Sequence, residues 1–269
     1  MTEARFAAIV LAAQRDGRLD PLAEAAGVTH KALVPIDGRP LLEHVLAALA
    51  QAPGLAEIRI AVEEGAAGRL ADVHGARGEL GVPVRFTAAR PTITESIYEA
   101  AEGSEGPFLI TTADNVLLTP EAAGAVAARL ATGDDAVVAM TTREAVLAAH
   151  PEGQRRFYRF ADAHYSNCNL YALSRAGLGV AETFRTGGQF AKNPMRIAAA
   201  FGLHNLILLR LGWLSLDGAM GRLGRRFGIN ARAIVLADGA HAVDVDNERT
   251  WQVAALLLEG RKQALSPRA

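Results

Sequence analysis

The sequence of 269 residues lacks the features that support several common kinds of site. Cys168 is its single cysteine, which excludes an internal disulfide or a thiolate zinc cluster and is typical of a reducing cytosol. The formal net charge is only −1, so no overall field favours nucleic acid. Any polyanion that the protein binds must therefore be small and held by a local cluster of basic residues.

Long apolar runs and the common phosphate-binding motifs are also missing. The apolar stretch at 203–216 contains Arg210 and is shorter than the roughly 20 residues that cross a bilayer. The run at 6–13 lacks the flanks of a signal peptide, so we expect a cytoplasmic protein. The sequence has neither a G-x-x-x-x-G-K-[ST] motif nor a G-x-G-x-x-G after the first predicted strand, which argues against a P-loop and a dinucleotide-binding fold.

What the sequence does contain is an alternation of apolar strands and helical stretches. The predicted strands lie at 6–13, 58–62, 82–88, 107–112, 136–142 and 233–236, and the predicted helices lie at 40–52, 65–73, 92–101 and 251–258. Such alternation predicts βαβ units with right-handed crossovers. We therefore expect an α/β fold with a mostly parallel sheet and helices on both faces. Residues 143–160 show no clear periodicity and are expected to form a polar excursion.

Local signals predict where two of the helices begin. Thr119 and Pro120 have the residue types of a helix cap and a first helical position, and Thr94 is a possible cap for the helix predicted at 92–101.

The first predicted strand stops at Gln14, and a long polar connection follows it. Arg15, Arg18 and Lys31 lie in this connection, which has few residues able to fill a core. Connections in compact domains mostly run about 2 to 6 residues, and longer ones tend to be functional. The pattern predicts a strand that ends in a polyanion-binding loop.

Three aspartates stand where a metal ion could bind. Asp114 follows the predicted strand 107–112, and the carboxyl ends of parallel strands are where open α/β sheets bind ligands. Asp244 and Asp246 alternate late in the chain, so both should lie on one face. Ordinary structural roles stay open here: Asp114 could serve a turn, and one of the other two could cap the final helix.

The first third of the chain resembles a known family. The resemblance lies in a series of short segments: Leu11-Ala12-Ala13, Arg18-Leu19, Pro21-Leu22, Lys31-Ala32-Leu33, Pro35, Gly38 and Pro40-Leu41-Leu42. They are similar to the N-terminal signature of nucleotidyltransferases that make sugar and polyol nucleotides. Molybdenum cofactor guanylyltransferases share it, and the chain is most similar to that MobA-like branch and its inositol-phosphate cytidylyltransferase relatives. Gln14 and Asp16 stand where the family usually has glycines.

This resemblance implies a glycosyltransferase-A-like, Rossmann-like domain over residues 1–269, with a nucleotide-binding half at 1–142 and an acceptor-side half at 143–269. It further implies Mg²⁺ as the cofactor, bound by Asp114 together with Asp246 or Asp244, with a slight preference for Asp246. Arg18, Lys31 and Asp114 are the implied catalytic residues. The implied nucleotide contacts are Leu11, Ala12, Ala13, Gln14, Arg15, Arg18 and Lys31.

The acceptor side is expected in the second half of the chain. Asn167 and Asn169 could hydrogen-bond a sugar or polyol, and Lys192 could bind the acceptor's phosphate; turn asparagines and a surface lysine are the ordinary alternatives. A helical insertion is expected at 187–223. Its apolar part at 201–214 is expected to be mostly core packing, and it could also form a homo-oligomer interface or a peripheral membrane contact.

The resemblance therefore implies transfer of a nucleoside monophosphate from a triphosphate to a polyol or sugar phosphate, with pyrophosphate released and CTP favoured narrowly over GTP. A molybdenum cofactor guanylyltransferase, a glycosyltransferase of the same fold and a non-catalytic nucleotide-binding protein are the alternatives. A glycosyltransferase needs no triphosphate-binding loop between Arg18 and Lys31. A protein without catalysis would have no reason to keep Lys31, Asp114 and the Asp244/Asp246 pair together.

Overall fold

The structure, a computed structural model, describes residues 5–14, 18–75, 80–184, 208 and 211–265, and the fold given below is that of these residues. Its strands are β1 (Phe6–Leu11), β2 (Pro35–Ile36), β3 (Arg39–Pro40), β4 (Leu55–Val62), β5 (Val84–Ala88), β6 (Phe108–Thr112), β7 (Ala136–Thr142), β8 (Tyr158–Arg159), β9 (His164–Leu173) and β10 (Ala231–Leu236). All but β2 and β3 form one mixed sheet of eight strands.

The order of the strands along the sheet is β10-β7-β9-β6-β1-β4-β5, with β8 paired to β9. The pairs β1–β4, β1–β6, β4–β5 and β7–β10 are parallel. β9 runs antiparallel to both of its long neighbours, β6 and β7. β1 therefore lies in the middle of the sheet and is buried on both faces, which is why it reads as a continuous apolar run.

Helices cover both faces of the sheet. They are α1 (Pro21–Ala25), α2 (Leu41–Ala50), α3 (Glu64–Gly75), α4 (Ile93–Ala101), α5 (Pro120–Ala128), α6 (Arg143–Ala149), α7 (Leu216–Phe227) and α8 (Glu248–Leu265). Val10 of β1 belongs to the apolar cluster that contains Leu46 of α2. Ile9 points to the opposite cluster, which contains Ile97 of α4 and Leu223 of α7. The predicted α/β fold with a mostly parallel sheet and two helical layers is confirmed.

Several local predictions hold and others are wrong. Thr119 caps α5 with Pro120 in its first turn, as predicted. The cap of α4 is Thr92, whose hydroxyl accepts a hydrogen bond from the Glu95 backbone while Glu95 bonds back, forming a capping box. Thr94 is instead fully buried, and its hydroxyl donates to the Ala181 carbonyl at 2.7 Å.

The segment predicted as a polar excursion, 143–160, begins with a helix. Thr142 accepts a hydrogen bond from the backbone N–H of Ala145 and so caps α6. The helix has only two turns, which is too short for an apolar period to be visible in the sequence.

Much of the predicted helical insertion lies outside the described residues, including 187–207 and Lys192. Its described end is α7, which Ser215 caps. In the part of the chain that the structure describes, no helix combines the length and apolarity needed to cross a bilayer.

One close backbone contact holds the chain in place just before Asp244. Gly239 begins a 3₁₀ segment, Gly239–Ala242, that packs against α6. A Cβ atom at Gly239 would lie 2.2 Å from the carbonyl carbon and oxygen of Ala145, which are backbone atoms that cannot rotate away. Only glycine therefore fits at this contact.

We predict that Gly239→Ala lowers the free energy of unfolding by about 2 kcal/mol or more, since overpacking against backbone costs roughly 1–3 kcal/mol. Gly179→Ala is the matched control because no atom lies within 4 Å of its added Cβ. Urea unfolding followed by circular dichroism measures both variants. Equal stability of the two variants would contradict the close contact.

Candidate active site

The register of three parallel strands brings distant segments to one edge of the sheet. Leu11 at the end of β1 pairs with Thr112 of β6 on one side and Ala61 of β4 on the other. The Ala113 N–H donates to the Leu11 carbonyl at 3.0 Å, and the Ala12 N–H donates to the Ala61 carbonyl at 2.9 Å. The long loop after β1 and the Asp114 turn after β6 therefore start side by side.

Three of the predicted site residues meet at this edge. Lys31 Nζ donates a hydrogen bond to Asp114 Oδ2 and another to Asp246 Oδ1, the latter at 3.1 Å. The Lys31 and Asp114 side chains are only 21% and 16% exposed, whereas that of Asp246 is 62% exposed. The Val245 N–H also donates to the Asp114 carbonyl at 3.1 Å, which fixes the late segment against the turn.

The charges of this cluster stabilise one another. Burial disfavours the Lys31 ammonium, but attraction to Asp114 and Asp246 outweighs burial and raises the pKa of Lys31. The pKa of Asp114 is lowered despite its burial, because the Lys31 charge and hydrogen bonds from Lys31 and Thr112 favour the carboxylate. Lys31 and Asp114 thus form a charged pair over the ordinary pH range.

Asp244 behaves in the opposite way. Burial is the largest influence on it, and the neighbouring carboxylates of Asp114 and Asp246 add to burial, so the pKa of Asp244 is raised well above its usual range. Its Oδ2 accepts a hydrogen bond from Asn169 Nδ2 at 2.6 Å. Its Oδ1 is buried and has no hydrogen-bond partner in the described part of the chain.

Neither late aspartate caps the final helix. Asn247 Oδ1 accepts a hydrogen bond from the Thr250 backbone at 3.2 Å, as an N-cap side chain does. The Thr250 hydroxyl accepts in turn from the backbone N–H groups of Asn247, at 3.1 Å, and Asp246, at 2.9 Å. Asp244 and Asp246 are therefore not used as helix caps.

The donor set suits a magnesium ion bound by two carboxylates. Among the described residues no three His, Cys, Asp or Glu side chains form a group that could hold a metal. Mg²⁺ usually keeps several waters and needs only one or two protein carboxylates. Asp114 and Asp246 already gather around one positive charge, the Lys31 ammonium. These two carboxylates fit a divalent cation, with Lys31 as the cation beside them.

The start of the long loop is tied to the end of β4. The Gln14 N–H donates to Glu63 Oε1 at 2.6 Å, and Gln14 Nε2 donates to the Thr29 carbonyl at 2.8 Å. A surface cavity of about 420 Å³ lies here, lined by Gln14, Leu19, Glu24, Gly27, Val28 and Thr29. A larger cavity of about 820 Å³ lies along α4 and has no predicted site residue in its lining.

The structure brings together part of the predicted site. Lys31, Asp114, Asp244, Asp246 and Asn169 lie in one network. Asn167 contacts Asn169 within β9. Leu11 is half-buried, Ala12 is buried and Ala13 is exposed at the start of the loop, and Arg18 is exposed further along it. Arg15 and Lys192 lie outside the described residues.

Three residues of the site were missed in the sequence. Thr112 donates to Asp114 Oδ1, Glu63 binds Gln14, and the Tyr171 hydroxyl contacts Asn167. Two of them carried a usable signal. Glu63 follows a buried strand directly, much as Asp114 does, and Tyr171 shares the two-residue alternation of Asn167 and Asn169 along one face of a strand.

Comparison with known proteins agrees with this architecture. A family model described as a MobA-like NTP transferase domain matches residues 8–183. A hypothetical transferase from Thermus thermophilus is similar in structure, with 31% identity and a TM-score of 0.71 over 92% of this chain and 99% of that chain. No curated protein gave a significant match.

Two further solved structures show the same fold at low identity. CMP:2-keto-3-deoxy-manno-octonic acid synthetase complexed with CTP has 18% identity and a TM-score of 0.58, covering 95% of this chain and 99% of its own. A 4-diphosphocytidyl-2C-methyl-D-erythritol synthase from Anaerococcus prevotii has 13% identity and a TM-score of 0.59, covering 96% and 97%.

We predict that Lys31→Met destabilises the fold by roughly 2–4 kcal/mol, because removing one partner leaves the Asp114 carboxylate buried beside two other acids. Added MgCl₂ should restore more stability to this variant than to the wild type, since a divalent cation replaces the missing charge. Differential scanning fluorimetry with and without MgCl₂ measures both effects.

Lys262→Met is the matched control for that prediction. Lys262 pairs with Asp37 at the surface and is 59% exposed, so its loss should change stability by less than about 1 kcal/mol. Wild-type stability of Lys31→Met without MgCl₂ would contradict the dependence of Asp114 on Lys31.

Proposed function

Because the chain belongs to the MobA-like NTP transferase domain family, we propose that it is a Mg²⁺-dependent nucleotidyltransferase that moves a nucleoside monophosphate from a triphosphate to the phosphate of a small polyol or sugar. The observation that carries the proposal is the cluster of Lys31, Asp114 and Asp246 at the carboxyl edge of the sheet. Opposite charges, two of them largely buried, lie next to a loop that begins at a buried strand end, and this arrangement suits the binding of phosphates.

The proposed reaction is an in-line displacement at phosphorus. An oxygen of the acceptor phosphate forms a bond to the α-phosphorus, and the bond from that phosphorus to the bridging oxygen breaks, so pyrophosphate leaves with the electron pair. No covalent enzyme intermediate is needed. The residues must orient the two phosphorylated molecules and stabilise the negative charge that develops between them.

Each charged residue has a proposed part in this step. Asp114 and Asp246 are the residues that would hold Mg²⁺, which supplies positive charge to the transferring phosphoryl group when bound. The Lys31 ammonium lies within the same cluster and can turn toward the triphosphate once the carboxylates have another cation. Arg18 is exposed in the loop and is proposed to contact the triphosphate, with Arg15 and residues 11–14 as further proposed contacts.

We propose CTP as the preferred donor, narrowly ahead of GTP. The resemblance of the N-terminal segments to polyol-phosphate cytidylyltransferases supports this choice. Two proteins that share the fold, at 18% and 13% identity, are a synthetase complexed with CTP and a 4-diphosphocytidyl-2C-methyl-D-erythritol synthase. Residues 1–142 would then bind the nucleotide and residues 143–269 the acceptor within a single domain.

The remaining parts of the proposal lie in the second half of the chain. Lys192 is proposed to bind the acceptor's phosphate. The apolar segment 201–214 is proposed as a homo-oligomer interface or a peripheral membrane contact of a cytoplasmic enzyme. Leu211 and Trp213, in its described end, are 48% and 72% exposed, which supports an apolar contact surface there.

A screen of pyrophosphate release tests the reaction. We expect release when the protein is incubated with MgCl₂, CTP and a phosphorylated polyol or sugar drawn from inositol phosphate, glycerol phosphate and hexose 1-phosphates. ATP, GTP and UTP are run in parallel, and mass spectrometry identifies the nucleotide product. Turnover only with GTP and a pterin acceptor would refute the substrate choice, and no turnover with any pair would favour a non-catalytic nucleotide-binding protein.

Substitution of Asp114 tests the site itself. Asp114→Asn should lower kcat/KM on the order of 10²-fold or more, because a group that stabilises the transition-state charge is lost while the side-chain volume is kept. Asp37→Asn is the control: Asp37 lies in a surface turn with φ of 51°, which asparagine also tolerates. Retention of more than about a tenth of wild-type activity by Asp114→Asn would remove it from the catalytic residues.

A further inference from the structure

One buried carboxylate in the site has no part in the reaction proposed above. Asp244 is 6% exposed, and only its Oδ2 has a hydrogen-bond partner among the described residues, namely Asn169 Nδ2 at 2.6 Å. An unpaired oxygen of a buried carboxylate is costly, and in native proteins it calls for a functional explanation. Among the described residues, Oδ1 of Asp244 therefore keeps an unused capacity to accept a hydrogen bond.

The backbone is distorted to place Asn169 beside this carboxylate. Asn169 has φ of 45°, in the left-handed region that non-glycine residues seldom adopt. The pairing of β7 with β9 also shifts register here: Val138 pairs with Tyr171, but Met140 pairs with Asn167. Such a bulge redirects a side chain, and here it directs the Asn169 carboxamide away from the ladder to Asp244.

A chain of neutral polar groups holds the Asn169 side chain in place. Asn167 Nδ2 donates to the Tyr171 hydroxyl, and that hydroxyl donates to Asn169 Oδ1 at 3.4 Å. The Asn169 backbone N–H donates to Asn167 Oδ1 at 3.0 Å. Asp244 accepts a hydrogen bond from the carboxamide nitrogen of Asn169, and the Tyr171 hydroxyl donates one to the carboxamide oxygen. These two partners determine the orientation of the amide.

On the side of β9, the surroundings of Asp244 favour a hydroxyl group over a metal ion. Asp244, Asp114 and Asp246 do not form a three-residue metal-binding group among the described residues. Lys31 bridges only the other two aspartates. The groups next to Asp244 on the side of β9 are amides and a phenol, which suit the recognition of uncharged hydroxyl-bearing molecules.

We propose that Asp244 binds the acceptor, with its Oδ1 accepting a hydrogen bond from a hydroxyl group of a polyol or sugar phosphate, and that Asn169 is the positioning residue that orients Asp244. This inference rests on the proposed function and adds to it the means by which the acceptor's hydroxyl groups are recognised. Asn169, predicted to contact the acceptor directly, acts through Asp244 instead. In this proposal Asp246, and not Asp244, is the residue that would hold the metal ion together with Asp114.

Two variants and two probes test the assignment. Asp244→Asn presents an amide donor where an acceptor is needed, and Asn169→Gly keeps the left-handed backbone while it removes the carboxamide. Calorimetry measures binding of glycerol phosphate and of methyl phosphate, which lacks free hydroxyl groups, in the presence of MgCl₂ and a CTP analogue whose α–β phosphate bridge cannot be cleaved. Electron paramagnetic resonance measures Mn²⁺ binding independently of turnover, with Asp246→Asn as the metal-site control.

We expect Asp244→Asn to weaken the binding of glycerol phosphate on the order of 10-fold, the usual effect of losing one hydrogen bond, and Asn169→Gly to weaken it less. Methyl phosphate and Mn²⁺ should bind both variants as they bind the wild type, while Asp246→Asn should lose Mn²⁺. In kinetics the acceptor KM should rise with little change in the KM for the triphosphate.

The outcomes separate this inference from the proposed function. Loss of Mn²⁺ binding in Asp244→Asn, as in Asp246→Asn, would make Asp244 a metal ligand and overturn the proposal. Unchanged glycerol phosphate binding in both variants, or equal weakening of methyl phosphate, would overturn it as well. Selective loss of glycerol phosphate binding would support it even if the pyrophosphate screen found no turnover, because the binding measurements do not depend on catalysis.

Discussion

The attraction between the Lys31 ammonium and the carboxylates of Asp114 and Asp246 is the interaction on which the rest of the site depends. It joins the loop after β1, the turn after β6 and the segment before α8, which are separated by up to 215 residues in sequence. Without a positive charge between them, each ionised carboxylate would destabilise the fold, because like charges repel and a buried charge loses its hydration.

The sheet determines where this cluster lies, and the antiparallel strand β9 brings further polar residues to the same edge. β1, β4 and β6 are parallel, so their carboxyl ends open on the same edge. β9 runs the other way, and thus its amino-terminal part, with Asn167 and Asn169, lies at that edge too. One side is charged and suited to a triphosphate, whereas the other is neutral, polar and suited to hydroxyl groups. The proposed division into donor and acceptor sides follows from strand direction.

Local chemistry explains why some predictions from the sequence hold and others are wrong. Thr119 and Pro120 identify the start of α5 because capping depends on neighbouring residues alone. Thr92 and Thr94 are both able to cap a helix, and burial against Ala181, a contact across the fold, decides between them. The two turns of α6 escape detection for a similar reason, since periodicity needs a longer helix to be seen.

The sequence by itself determined the α/β fold, the long loop after β1 and the aspartates that follow strands, because apolar period, turn residues and strand ends are local properties. Only the tertiary structure decided that β9 is antiparallel, that Lys31 lies between Asp114 and Asp246, and that Asn169 bonds Asp244. These facts depend on strand order and on a bulge between distant strands. A pairing between residues 75 or 215 positions apart leaves no trace in the spacing of a single chain, since it forms only when the sheet closes.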